Sequence, residues 1–377
     1  METPFLRRFI KNIFIVSNCI IAIFFLAGAY VKYFSPAHWW FLGLFTFILA
    51  YLFLTLVLFF LFWLFKKSFW CCISLFTIIL GWHAVINIFP FNFSSSFSIQ
   101  KMPESLRVMS WNVEEFNILH HKDHPEVKQE MLDLINQYDP DIACFQEVVA
   151  GDKKKGINYF PDIQKALRFT DYLYSYNLKD DFDNYHHFGR LIFSKLPVII
   201  KQTVINYPND YNATFQYIDV LKDNDTIRIF NVHLQSLKFS QANLSYIDKA
   251  GLNSDRNITE SRSVISKIKT GFIKRSIQAK FIKDEINHSP YPVIVCGDFN
   301  DVPNSYAYET IGSGLQNAFV ERGSGIARTF TTISPTLRID NIFADKKFTV
   351  LQFTRVKKLL SDHFPILADL ILSQNTK

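Results

Sequence analysis

Cysteine is scarce, with five in 377 residues. Cys19, Cys71 and Cys72 fall in apolar runs near the N-terminus, and Cys144 and Cys296 in the strand-like runs "DIACFQEV" and "VIVCGDFN". That distribution excludes a disulfide framework, and no Cys/His spacing suggests zinc. Buried free thiols are the expectation. A large excess of positive charge is missing as well. The formal net charge is +6, but residues 1–100 hold six Lys/Arg against one Glu, which leaves +1 for the rest of the chain. A strongly basic nucleic-acid binder is thereby excluded overall, although a local basic groove is not. No internal repeat is evident.

Charge is rarest in the first hundred residues. None interrupts 12–31 or 33–65, nor 68–100 if His83 is neutral. A membrane helix needs about 20 mostly apolar residues, so the sequence predicts three spans at roughly 12–33, 39–65 and 69–89. A cleaved signal peptide would want a shorter apolar core of roughly 7–15 residues, and a buried soluble bundle would need polar faces that these runs lack. Arg7, Arg8 and Lys11 precede the first run, and Lys66 and Lys67 separate the second from the third. By the positive-inside rule those segments are cytoplasmic. Three crossings then place residues 93–377 outside, in the periplasm of a cell with two membranes. Trp39, Trp40, Trp63 and Trp70 lie near the ends of these runs, as interfacial aromatics do.

The chain therefore divides into a membrane anchor over 1–92, a Ser-rich linker over 93–103, and a domain over 104–373. Strand-like runs fill that domain: "LRVMSWNV", "DIACFQEVV", "RLIFSKLPVII", "FQYIDVL", "TIRIFNVHL", "YPVIVCGDF", "RIDNIFAD" and "PILADLIL". Helical periodicity appears in "PEVKQEMLDLINQY" and in a long stretch beginning at "TESRSVISKIK", where Gly271 marks a place for a bend. Mixed strands and helices over this length predict one α/β or α+β domain with packed sheets.

Polar residues recur where the apolar strands end: Asn112, Glu147, His233, Asp298, Asn300, Asp340, Asp362 and His363. Taken singly, each reads as a turn residue or a structural histidine. Together they have the composition of a site for a hard, oxygen-preferring cation and a phosphoryl group. Mg²⁺ fits the carboxylates best, and the imidazoles keep Mn²⁺ open.

The motifs "SWNVEEFN", "DIACFQEV", "FNVHLQS", "GDFNDVPNS", "RIDNIF" and "SDHFPI" resemble, in order, those of the endonuclease/exonuclease/phosphatase family. That family is deoxyribonuclease-I-like and includes neutral sphingomyelinases, inositol-polyphosphate 5-phosphatases and abasic-site endonucleases. The resemblance covers roughly 104–373. It implies a four-layer sandwich, two packed β-sheets flanked by helices, and metal-dependent attack of water on a phosphodiester or phosphomonoester. Carried over by motif, Glu147 is the principal metal ligand, with Asn112 beside it and Asp362 close by. Asp298 orients or deprotonates the attacking water, and Asn300 contacts phosphate. His363 stabilises the transition state while Asp340 holds its other ring nitrogen. His233 matches the second histidine, the acid for the leaving oxygen in the nuclease and sphingomyelinase branches.

One segment departs from the pattern: "HHFGRLIFSKLP" stands where many relatives carry "G-x-A-I-x-S". Arg190 there is either a phosphate contact or a surface arginine, and His187, with His186, is a weaker substrate-side candidate. The expected substrate is a phosphate ester: nucleic acid, phospholipid or a small phosphodiester. The segment 236–257, with Phe239 and Tyr246, follows His233 and could shape the entrance. The expected partners are that ester and the bilayer, and the sequence names no protein partner. The rival readings are a non-catalytic phosphate-binding module and a membrane sensor.

Overall fold

The structure, a computed structural model, describes residues 4–93, 96–151, 156–178, 185–205, 214–239, 243 and 257–373. Most of segment 236–257, including Tyr246, lies outside the described residues.

Among the described residues twelve strands form two six-stranded sheets. The first contains β1 (Leu106–Asn112), β2 (Ile142–Gly151), β3 (Asp171–Tyr176), β4 (His186–Ser194), β11 (Phe348–Arg355) and β12 (Ile366–Leu372), ordered β11-β12-β1-β2-β4-β3. The second contains β5 (Val198–Ile205), β6 (Thr214–Lys222), β7 (Asp225–His233), β8 (Val293–Asp298), β9 (Leu315–Asn317) and β10 (Asp340–Asp345), ordered β5-β6-β7-β8-β10-β9. Each sheet has one parallel pair, β1 with β2 and β7 with β8, and the other neighbours run antiparallel.

Alternation decides which face each residue takes. Leu106, Val108, Ile142 and Cys144 of the first sheet meet Ile229, Ile294, Cys296 and Ile342 of the second in the inter-sheet core. The intervening Met109, Trp111, Ala143 and Phe145 point outward under the helices Glu126–Tyr138 and Phe160–Leu167. On the far side Phe230, Val295 and Phe299 pack under the helices Asn257–Asn287 and Tyr306–Gly312. These are the four layers expected. Cys144 and Cys296 are buried free thiols, also as expected. The long helix runs unbroken through Gly271.

The N-terminal region departs from expectation. The first apolar run forms α1 (Pro4–Ala29), about 39 Å at the α-helical rise and long and apolar enough to cross a bilayer. The second run breaks into α2 (Pro36–Trp39), a 3₁₀ turn, α3 (Leu44–Phe47) and α4 (Leu49–Phe65), with a 58° bend at the break before Leu49. The third breaks into α5 (Cys71–Leu80) and α6 (Trp82–Ile88), bent by 73° at Gly81. A Cβ on Gly81 would lie 2.3 Å from the Phe25 ring, so this break is also where the third run closes on α1. Among the described residues one helix thus meets the criterion for a span, and two more do so only if each bent pair is counted as one. Inside the bundle Ser74 donates to Asn18 Oδ1 at 2.9 Å, both residues fully buried, as polar side chains between apolar helices require.

Candidate active site

The strand ends converge at one end of the sandwich. β8 delivers Asp298, and its register partners are His233 on β7 and Asp340 on β10, so three polar residues stand side by side across the second sheet. Gly297, just before Asp298, has φ 149°, and a Cβ there would sit 1.9 Å from the Val232 carbonyl oxygen. Only glycine permits this close strand approach.

The first sheet supplies the opposite wall. Asn112 ends β1 and donates through Nδ2 to Asp298 Oδ2 at 3.2 Å. Glu147 sits where the β2–β4 register shifts between Phe145 and Val148, at φ 52°. A bulge of this kind takes a side chain out of the ladder and re-aims it, and a left-handed non-glycine residue marks strain tolerated for a reason. Asn300 shares that conformation at φ 49°. Its backbone N–H donates to Asp298 Oδ1 at 2.7 Å, and its side-chain amide donates to the Leu234 carbonyl at 3.1 Å.

His363 closes the cleft from the segment before β12. Its Nδ1 bonds Asp340 Oδ2 at 2.8 Å, and its Nε2 lies 3.7 Å from Asp298 Oδ2 and 3.9 Å from Asp362 Oδ1. Burial opposes a charge on this imidazole, but Asp340 and Asp298 outweigh it and raise its pKa well above the ordinary value. His233 is the reverse case. Its Nε2 lies 3.5 Å from Glu147 Oε1 and 3.6 Å from Asp298 Oδ2. Burial, with the neighbouring positive charges of Arg190 and His363, drives it well below the ordinary value. Neither of its ring nitrogens has a hydrogen-bond partner among the described residues.

Burial also pushes the Glu147 carboxyl up to about 7, with Asp362 adding to the shift and His363 opposing it. Asp298 is pushed up to about 7 by burial, with His363 opposing and Asp340 reinforcing. Glu115 reaches about 7 through burial and the nearby Glu114 and Asp362. Carboxylates crowded this way lack positive charge, and a bound divalent cation supplies it. Ligand atoms of Asp298, Asp340 and His363 lie within 4.8 Å of one another. However, the His363–Asp340 hydrogen bond occupies Nδ1, and a protonated imidazole repels a cation. Glu147, Asn112 and Asp362 offer oxygen donors, the kind a hard ion prefers.

Arg190 lies under this cluster and His187 lies apart from it. Arg190 is not a surface arginine: it is buried, donating to Thr214 Oγ1 and, through Nη2 at 3.3 Å, to the His233 carbonyl. It lies beneath His233. His187 stacks on Tyr176 with ring centroids 4.2 Å apart, in register with Ala150, beyond Glu147 on that strand pair.

Several supporting residues escape a reading based on strand ends. Ser361 donates to the Asn112 carbonyl at 2.7 Å and accepts from the His363 N–H at 3.1 Å. Trp111 Nε1 donates to the His363 carbonyl at 2.9 Å. Thr329 Oγ1 accepts from the backbone N–H groups of Ile339 at 2.9 Å and Asp340 at 3.1 Å. Gln146 donates to Asn231 Oδ1 at 2.7 Å behind Glu147, tying the two sheets together. Ser361, Trp111 and Asn231 fall inside the quoted motifs, which was their only signal. Thr329 had none.

A family model described as "Endonuclease/Exonuclease/phosphatase family" matches residues 109–363. A second, described as a domain of unknown function (DUF8431), matches residues 11–88. No curated protein matches the chain. Among solved structures, an endonuclease/exonuclease/phosphatase from Beutenbergia cavernae DSM 12333 is similar over 71% of this chain and 72% of its own, with a TM-score of 0.52 and 17% identity. Another, from Bacteroides vulgatus, is similar over 71% of this chain and 99% of its own, with a TM-score of 0.51 and 21% identity. At these identities the structural likeness is one of fold, and the family match covers more than half of the chain. The chain therefore belongs to the endonuclease/exonuclease/phosphatase family, whose members are hydrolases acting on phosphoric ester bonds.

Proposed function

We propose that this protein is a membrane-anchored, Mg²⁺-dependent phosphoesterase that hydrolyses a phosphodiester by in-line attack of water, with its catalytic domain outside the cytoplasm. One observation carries the reading: the buried Asp340–His363 hydrogen bond, 2.8 Å long, abuts Asp298 with Glu147 across the cleft. A turn or a structural ion pair gains nothing from further buried carboxylates beside it, whereas hydrolysis of a phosphate ester needs all of them.

A cation held by Glu147, Asn112 and Asp362 would neutralise phosphate charge and ease ionisation of bound water. The protein's own groups do the rest. Asp298, with Asn112 and the Asn300 N–H on its oxygens, holds the attacking water and accepts its proton. His363 is kept cationic by Asp340 and stabilises charge on the phosphoryl oxygens. Asn300, on the same turn, contacts a phosphate oxygen when substrate is bound. His233 is neutral in this environment, so it donates one N–H toward the leaving oxygen and acts as an acid only when the substrate's negative charge restores its proton.

Mn²⁺ replaces Mg²⁺ readily at an oxygen-rich site, so both belong in the test. The full chain in detergent micelles should be screened against DNA, RNA, phospholipids, inositol phosphates and nucleotide esters with each metal. Turnover of none of these, or turnover insensitive to chelator, sinks the reading. Topology is tested separately by an alkaline phosphatase fusion after Lys377. Activity is expected, and a stable but inactive fusion contradicts the external placement.

A further inference from the structure

The junction between the N-terminal helices and the sandwich holds a polar contact that phosphoester chemistry does not require. α6 lies in a nearly uncharged run, "HAVINIFP", yet it buries an asparagine near its end. Asn87 Nδ2 donates to Asn304 Oδ1 and to Glu309 Oε1, both at 2.9 Å. Asn304 returns a hydrogen bond from Nδ2 to the Ala84 carbonyl at 3.1 Å. On its other side the Asn87 carbonyl accepts from the buried Arg338 guanidinium. Lys32, between the first two apolar runs, pairs with Glu309 at 2.9 Å.

The two sandwich segments that Asn87 touches are the ones that carry Asp298 and Asp340. Asn304 belongs to "GDFNDVPNS", the turn that follows Asp298, and sits at φ 67°. Arg338 lies two residues before Asp340, which pairs in register with Asp298. A buried amide is costly unless bonded, and here the Asn87 side chain bonds the segment after Asp298 while its main-chain carbonyl bonds the segment before Asp340.

We propose that Asn87 is a positioning residue: the end of the third apolar run clamps the Asp298 turn to the Asp340 segment, so the geometry of the site depends on the membrane helices. The kinetic part of this proposal rests on the phosphoesterase reading above. A small displacement of a reacting group lowers turnover steeply, and loss of a supporting hydrogen bond typically costs 10–100-fold.

The test uses the full chain in detergent micelles, as Asn87→Ala, as Asn304→Gly, which removes the side chain while keeping the backbone conformation accessible, and as the double variant. Each single variant should lower kcat by about 10-fold or more with KM nearly unchanged. The double variant should be no worse than the worse single one, because both break the same joint. Hydrogen exchange should quicken in peptides covering 298–305 and stay as in the parent in β1, in β12 and in 336–341, which is held through the Asn87 main-chain carbonyl that alanine keeps. Parental kcat together with parental exchange in Asn87→Ala overturns the clamp, as does exchange that quickens throughout the sandwich. If the parent chain hydrolyses no phosphoester, the functional reading fails and exchange alone decides. Local quickening then supports the clamp, and unchanged exchange overturns it.

Discussion

The two sides of the cleft hold histidines that are equally buried and driven to opposite states. His363 hydrogen-bonds Asp340 at 2.8 Å and is raised well above the ordinary value. Neither ring nitrogen of His233 has a hydrogen-bond partner among the described residues; the residue lies near Arg190 and is pushed well below that value. Both stand within 3.7 Å of Asp298 Oδ2. Burial alone therefore does not set the protonation state. The partner on the far ring nitrogen does, and only one side of the cleft supplies a carboxylate there.

The largest effect that would break this comparison is at His363. His363→Ala should lower metal-dependent hydrolysis of a generic phosphodiester by about 10³-fold or more, measured as kcat. His233→Ala should cost less, and equal losses would mean that the two sides are not distinct. Next comes Glu147→Gln, which should raise the Mg²⁺ concentration needed for half-maximal activity by about 10–100-fold or more with the fold intact. Calorimetry of metal binding checks it.

Asp340→Asn sharpens the comparison directly. Without the carboxylate, His363 loses its proton at lower pH, so the alkaline limb of the pH–rate profile should move to lower pH. An unmoved limb would assign that limb to another group. The smallest effect is on stability. The carboxyls of Glu147 and Asp298 are raised to about 7 in the fold, so ionising them as pH rises from about 5 to 8 destabilises the metal-free protein. His363, also raised, loses its contribution as pH rises through its folded value, which acts in the same direction. The metal-free melting temperature should therefore fall by several degrees between pH 5 and 8, and Mg²⁺ should restore it.

Much of the sandwich was legible in the sequence, because period-two alternation and apolar runs record which faces are buried. The strand ends of the proposed site were legible too, since polar residues at the mouths of apolar strands stand out against them. Long-range placement was not. Nothing local in "HHFGRLIFS" says that Arg190 lies beneath His233 rather than at the surface, and nothing in the segment around Thr329 says that it anchors Asp340. Apolar length likewise counted three uninterrupted runs in the N-terminal region but could not report the bends before Leu49 and at Gly81. At Gly81 the break is where the run meets the Phe25 ring of α1, a contact that hydropathy does not encode.

The central claim is that Asp298 handles the attacking water at a metal-dependent phosphoester site. Its most direct test is the rate of phosphodiester hydrolysis by the full chain, parent against Asp298→Ala, with and without Mg²⁺. The account predicts turnover in the parent that needs the metal, and none in the variant although it still folds and still binds Mg²⁺. Parental turnover in Asp298→Ala, or turnover in the parent that ignores the metal, would contradict it.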